Sequence, residues 1–108
     1  MIKSNQIIDL SEQHLMTVRA ILQTTVPSIE AFAFGSRVRE LNAVSKAKKY
    51  SDVDIALEPA HPLGWRVLAD VREAFEESDL PMRVDVIDWS VCTDDFKHHV
   101  VNKYLLTS

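Results

Sequence analysis

Cysteine occurs once in the 108-residue chain, at Cys92, which excludes an intramolecular disulfide framework and any multi-cysteine zinc site. Glycine is nearly as scarce, with only Gly35 and Gly64, so each marks a position where the backbone has a reason to need one. No apolar run approaches the roughly 20 residues that span a bilayer, and the opening Met1-Ile2-Lys3-Ser4-Asn5-Gln6 has no apolar signal core. The reading is therefore cytoplasmic, with no membrane partner. An excess of positive charge is also missing: 12 Lys+Arg against 16 Asp+Glu leave a net charge of −4, and no direct nucleic-acid partner is expected. Repeats, low-complexity stretches and linkers are absent, so one domain over residues 1–108 is expected, long enough to bury a single core.

What is present is an alternation of periods. Asp9 or Ser11 caps a helix in which Leu15, Val18, Ile21 and Leu22 recur at helical spacing until Pro27. Residues 29–34 are short and apolar, read as a buried strand, and end at Gly35. A short helix is expected over 36–41, followed by a polar stretch over 42–51 that contains Lys46, Lys48 and Lys49. Residues 52–57 read as a second strand, 63–77 as an amphipathic helix with Trp65 and Phe75 on its core stripe, and 83–89 as a third strand. Phe96, Val100, Tyr104 and Leu105 mark a final helix. The order implies a small α/β domain, with helices over a sheet of about three strands.

Three features exceed what a core needs. The strand entering Gly35-Ser36 offers close backbone approach and N–H groups suited to phosphate, although strand-to-helix turns use Gly and Ser for purely local reasons too. Asp52-Val53-Asp54 places two carboxylates on one face of a strand. Like charges at roughly 4 Å repel by about 4 kcal/mol at an effective dielectric near 20, and a hard divalent cation removes that cost. Solvated carboxylates at a strand end are the alternative. Finally, Asp85 interrupts an apolar strand on the face of Ile87 and Trp89, where it completes a three-carboxylate cluster if this strand lies beside residues 52–57. Asp88, on the other face, reads as a cap or turn residue for the final helix. A phosphate-binding turn with three carboxylates is the equipment of phosphoryl or nucleotidyl transfer.

The stretches Ala33-Phe34-Gly35-Ser36-Arg37-Val38-Arg39, Tyr50-Ser51-Asp52-Val53-Asp54-Ile55-Ala56-Leu57 and Leu80-Pro81-Met82-Arg83-Val84-Asp85-Val86-Ile87-Asp88-Trp89 resemble the minimal nucleotidyltransferases of the polymerase-β superfamily. The resemblance implies a polymerase-β-like mixed sheet with flanking helices. It implies nucleotide phosphates on Gly35 and Ser36, and two magnesium ions on Asp52, Asp54 and Asp85, with Asp85 also activating the acceptor hydroxyl. ATP is the implied donor. The usual glycine after Arg-x-Arg is replaced by Glu40-Leu41, and the spacer over 37–51 is longer than usual and basic. Members of this size are one half of two-gene systems, so the resemblance implies a helical HEPN-type or substrate-binding partner and a homo- or hetero-oligomer. In many such pairs the transferase is the antitoxin and moves AMP onto a tyrosine of the toxin. A stoichiometric binding antitoxin and the catalytic half of a small-molecule transferase stand as alternatives.

Arg37, adjacent to Ser36, is expected to contact the phosphates, with a salt bridge to a surface acid as its bland counterpart, and Arg39 shares both readings. Lys46, Lys48 and Lys49 are a solvated loop or an electrostatic lure for the triphosphate. His98 and His99 diverge by about 100° on a helix and read as a solvated or interface face rather than a metal site. Cys92 reads as a small buried residue.

Overall fold

The structure is a computed structural model, described over residues 6–41 and 52–107. The lysines of the basic stretch, with Tyr50 and Ser51, lie outside the described residues.

Helix α1 (Glu12–Thr25) begins at Ser11, whose hydroxyl accepts from the His14 N–H at 3.1 Å. It buries Val18 and Leu22, and the Val26 N–H closes its end on the Leu22 carbonyl, one residue before Pro27. Strand β2 (Glu30–Phe34) follows and pairs antiparallel with β4 (Val53–Glu58). Helix α2 (Trp65–Glu76) then crosses over and returns the chain as β5 (Val84–Asp88), parallel to β4, as a parallel neighbour requires. With β6 (Tyr104–Leu105) the sheet has four strands in the order β5-β4-β2-β6.

The two faces of this sheet differ. Ala31, Ala33, Val53, Ile55, Leu57 and Val86 pack under α1 and α2, against Val18, Leu22, Val71 and Phe75. Each large apolar side chain fully buried there contributes about 1.5–3 kcal/mol. The opposite face carries Phe32, Ala56 and Trp89 as a smaller cluster, with the Phe32 and Trp89 rings edge-on at 5.0 Å. The short helix α3 (Asp94–His99) covers this face through Phe96 against Phe34 and Trp89, and the segment after it adds Val100 and the Lys103 ammonium over the Phe32 and Trp89 rings. Asp54 and Asp85 belong to this thinly covered side.

Several expectations need correction. The short helix expected over 36–41 is a single 3-10 turn, Gly35–Arg37, that runs into strand β3 (Val38–Glu40). That strand pairs antiparallel with β1 (Gln6–Ile8), and three-residue strands are too short to declare a period. The final helix stops at His99. Beyond it Val100 is extended, and Tyr104 and Leu105 pair with Ala33 and Phe32 as strand β6, so the sheet rather than a helix takes them. The β-branched pair Val100-Val101 favours that exit. Trp65 is 75% exposed at the start of α2, its ring covered by the Arg66 guanidinium rather than by the core, whereas Phe75 is buried as expected. Trp89 packs inside the smaller cluster. Among the described residues, no helix is long and apolar enough to cross a membrane.

Candidate active site

The site is assembled by register. Phe34 ends β2 opposite Asp54, and Asp54 is in turn beside Asp85 across the parallel pair. The residue after Phe34 is Gly35, so the turn, the carboxylate of β4 and the carboxylate of β5 stand in one row across three adjacent strands. Gly35 has φ +81°, a conformation that L side chains rarely adopt. A Cβ there would collide with the Asp54 carboxylate, so glycine is required both by the turn and by its neighbour. Ser36 is exposed at the tip, and the Val38 N–H closes the turn on the Gly35 carbonyl.

Burial, then the negative charges of Asp85 and Asp52, raise the Asp54 pKa above its ordinary value. Asp85 has a cationic neighbour: the Arg83 Nε lies 3.3 Å from its Oδ1, on side chains that are both well exposed. Sequence alone did not single out Arg83. Its signal was the period of two that puts residues 83 and 85 on one side of a strand. Among the described residues no group of three His, Cys, Asp or Glu side chains is close enough to hold a metal ion as it stands, so Asp52, Asp54 and Asp85 share a field without forming a closed set of ligands. Their chemistry nonetheless fits a hard divalent cation. All the donors are carboxylate oxygens, and after burial the charges of Asp85 and Asp52 add to the rise of the Asp54 pKa.

A cleft of about 850 Å³ includes Asp54 and Asp85, with Phe34 and Phe96 over the open face. It continues round the β5 edge to Leu80, Met82 and Arg72, whose guanidinium donates to the edge carbonyl of Val86 at 2.7 Å.

Arg37, expected on the phosphates, is engaged with Asp9 in this structure. It is 8% exposed, and its Nη1 donates to the Asp9 carbonyl at 2.7 Å while the Asp9 N–H donates to the Arg37 carbonyl at the same distance. The arginine thereby ties the turn to the end of β1. Arg39 forms the salt bridge of the blander reading, to Asp9 at 3.3 Å. Asp88 is a cap, but of the 3-10 turn Trp89–Val91 rather than of the final helix, which Thr93 caps. Its Oδ1 accepts from the Ser90 N–H and hydroxyl, and its Oδ2 from the Leu63 N–H. Cys92 is half-buried, with its Sγ at 3.4 Å from the Asp88 carbonyl, and burial raises its pKa.

Comparison with known proteins agrees with this geometry. The nucleotidyltransferase domain model matches residues 15–105. The probable protein adenylyltransferase MntA of Haemophilus influenzae is 41% identical over 99 residues, which cover 92% of this chain and 82% of that protein. Among solved structures, a mutant of the MntA–HpeT toxin–antitoxin pair superposes with a TM-score of 0.65 at 18% identity, over 85% of this chain and 71% of that one, which is a likeness of fold. Because the family match runs across most of the chain, from α1 to β6, the chain belongs to the nucleotidyltransferase domain family.

Proposed function

We propose that this chain is a magnesium-dependent, cytoplasmic protein adenylyltransferase that moves AMP from ATP onto a tyrosine hydroxyl of a helical HEPN-type partner, and so acts as the antitoxin of a pair. The observation that carries the reading is the row formed by Gly35, Asp54 and Asp85, a phosphate turn set against two carboxylates on adjacent strands. The 41% identity to a probable protein adenylyltransferase supports a protein acceptor, and the toxin–antitoxin pair with the same fold supports a partner chain.

In this reading the Gly35 and Ser36 turn holds the triphosphate through backbone N–H groups and the serine hydroxyl. Asp52, Asp54 and Asp85 hold the magnesium, which when bound neutralises charge on the phosphate oxygens. The acceptor oxygen bonds to the α-phosphorus as the bond from that phosphorus to the pyrophosphate oxygen breaks, and Asp85 takes the hydroxyl proton. Arg83 holds the Asp85 carboxylate through its ion pair. Arg37 contributes by fixing the turn from beneath rather than by touching phosphate.

The test is intact mass spectrometry of the chain with its co-purified partner, incubated with magnesium and each nucleoside triphosphate in turn. A nucleoside-monophosphate gain on the partner, absent with Asp54→Asn, is the expected result. A second reading, stoichiometric inhibition without transfer, draws on the Asp85–Arg83 ion pair, which satisfies one carboxylate without metal. It predicts that the Asp52→Asn, Asp54→Asn double variant still neutralises the partner. Transfer to an added small molecule instead of the partner would mark the catalytic half of a two-subunit enzyme.

A further inference from the structure

Asp85 answers to two cations, the Arg83 guanidinium that it faces and the magnesium of the proposed reading. The backbone fixes the first of these. The Arg83 carbonyl accepts from the Val53 N–H at 2.9 Å, so the β4–β5 ladder already runs at Arg83. A period of two then puts residues 83 and 85 on one face, while Val84 and Val86 pack on the core of the other. Both charged side chains line the cleft that contains Asp54.

The two cations pull in different directions. Arg83 lies two residues along the strand, roughly 6.6 Å at 3.3 Å per residue. Asp54 lies across the parallel pair, on a strand about 4.8 Å away. Asp85 carries its carboxylate on a short side chain, and a carboxylate held along β5 is held away from an ion shared with Asp54. Among the described residues the carboxylates are not gathered into a ligand set, the result expected of such a hold. The pair is nonetheless displaceable. It is a single contact through Nε at 3.3 Å, on side chains 77% and 43% exposed, and exposed pairs are weak. Asp88, by contrast, accepts three hydrogen bonds and is 4% exposed.

We infer that Arg83 is a competing counter-ion, which holds Asp85 out of the metal site, so that this carboxylate becomes a third ligand only when the pair opens. The inference rests on the proposed transferase reading and assigns to Arg83 the control of metal affinity at that same site. A guanidinium that instead steadied a metal-bound carboxylate from behind would act with the opposite sign, since removing such a support weakens the ion's hold. Arg83 is mostly exposed and Asp85→Asn preserves shape, so substitutions at both positions leave the fold in place.

The experiment is calorimetric titration of the full chain with magnesium, and with manganese as a second probe of carboxylate oxygens. It compares wild type, Arg83→Gln, Asp85→Asn and the double variant. Arg83→Gln is expected to bind each ion about two- to fivefold more tightly, the range that one exposed ion pair commands. In the Asp85→Asn background that gain shrinks, because the carboxylate for which the two cations compete is gone. An equal gain in both backgrounds would make Arg83 a diffuse repelling charge and overturn the inference. Weaker binding by Arg83→Gln, or no binding that depends on Asp85, overturns it too. Transfer assays on the same proteins, with the co-purified partner and ATP, separate the inference from the reading beneath it. The magnesium concentration for half-maximal transfer is expected to fall in Arg83→Gln by the factor seen in titration. If the affinities shift as expected but no partner gains mass, the transferase reading falls while the counter-ion role of Arg83 stands.

Discussion

Gly35 and Asp54 sit so close that a single Cβ on the glycine would occupy the space of the aspartate carboxylate. The turn and the carboxylate are therefore one unit, and neither moves without the other. Gly35→Ala has two costs. The left-handed φ of +81° strains an L residue by about 1–2 kcal/mol, and the methyl group displaces the Asp54 side chain. A displacement on the order of 1 Å at reacting groups lowers rates by about a hundredfold. The expected outcome is a protein that unfolds at slightly lower denaturant and transfers AMP at about 1% of the wild-type rate. Wild-type transfer by Gly35→Ala would show that the Asp54 carboxylate has no fixed task.

Asp54 titrates in the direction of a buried charge that its acidic neighbours also repel. Burial, Asp85 and Asp52 raise its pKa, so the folded chain holds this proton to higher pH than the unfolded chain does. Linkage sets the sign: stability falls as pH rises from the ordinary value of 3.8 through the raised folded value, and the deficit persists at neutral pH. Asp54→Asn removes the repulsion, so at pH 7 its melting temperature is expected to match or exceed the wild type's. In the proposed reading magnesium relieves the same repulsion by another route. Adding it is expected to raise the wild-type melting temperature at neutral pH and to leave Asp54→Asn nearly unmoved. Equal magnesium responses in the two proteins would place the ion away from this carboxylate.

The placing of Asp54 and Asp85 on one side of the sheet was legible in the sequence because both lie on strands, where a period of two fixes the face. Asp52, Asp54 and Asp85 are set apart from Val53, Ile55, Val84 and Val86 by alternation alone, and Asp88 is separated from Asp85 by the same rule. Expectation failed where tertiary pairing overrides local pattern. Val38-Arg39-Glu40 has no strand signal of its own and becomes β3 only because Gln6-Ile7-Ile8 lies beside it. Tyr104 and Leu105 continue a helical spacing from Phe96 and Val100, yet they complete the sheet edge against β2. Trp65 opens a helix whose apolar stripe predicts a buried ring, but at the first turn it is exposed to solvent. Arg37 could be placed only from the fold, since its partner, the Asp9 carbonyl, is 28 residues away.

That partner makes Arg37 a test of position against contact. The residue is buried, its guanidinium donates to a backbone carbonyl, and the same two residues exchange a backbone hydrogen bond. Arg37→Ala leaves a buried polar group short of its donor and opens a cavity beneath the turn, for an expected loss of about 2–4 kcal/mol measured by urea denaturation. At a temperature where the variant remains folded, its KM for ATP is expected to stay within about threefold of the wild type, because no phosphate contact is removed. A large rise in KM with unchanged stability would return the arginine to the phosphates.

Asp88 offers the opposite titration to Asp54, three residues from Asp85. Burial pushes its carboxyl upward, but hydrogen bonds from the Ser90 hydroxyl, the Leu63 N–H and the Ser90 N–H outweigh burial together and leave the pKa below 3.8. A depressed carboxyl stabilises the fold above its unfolded value and loses that contribution as pH falls through the folded value. Asp88→Ala leaves Leu63 and Ser90 without their acceptor, so at pH 7 it is expected to destabilise by about 2 kcal/mol. The gap between wild type and Asp88→Ala narrows below pH 3.8, where the wild-type carboxyl also loses its charge, whereas any gap between wild type and Asp54→Asn closes by the wild type gaining stability in acid. Denaturation of the three proteins from pH 3 to pH 8 separates the two carboxylates by sign. An Asp88→Ala gap independent of pH would mean that packing around the side chain, and not its charge, holds β5 to the start of α2.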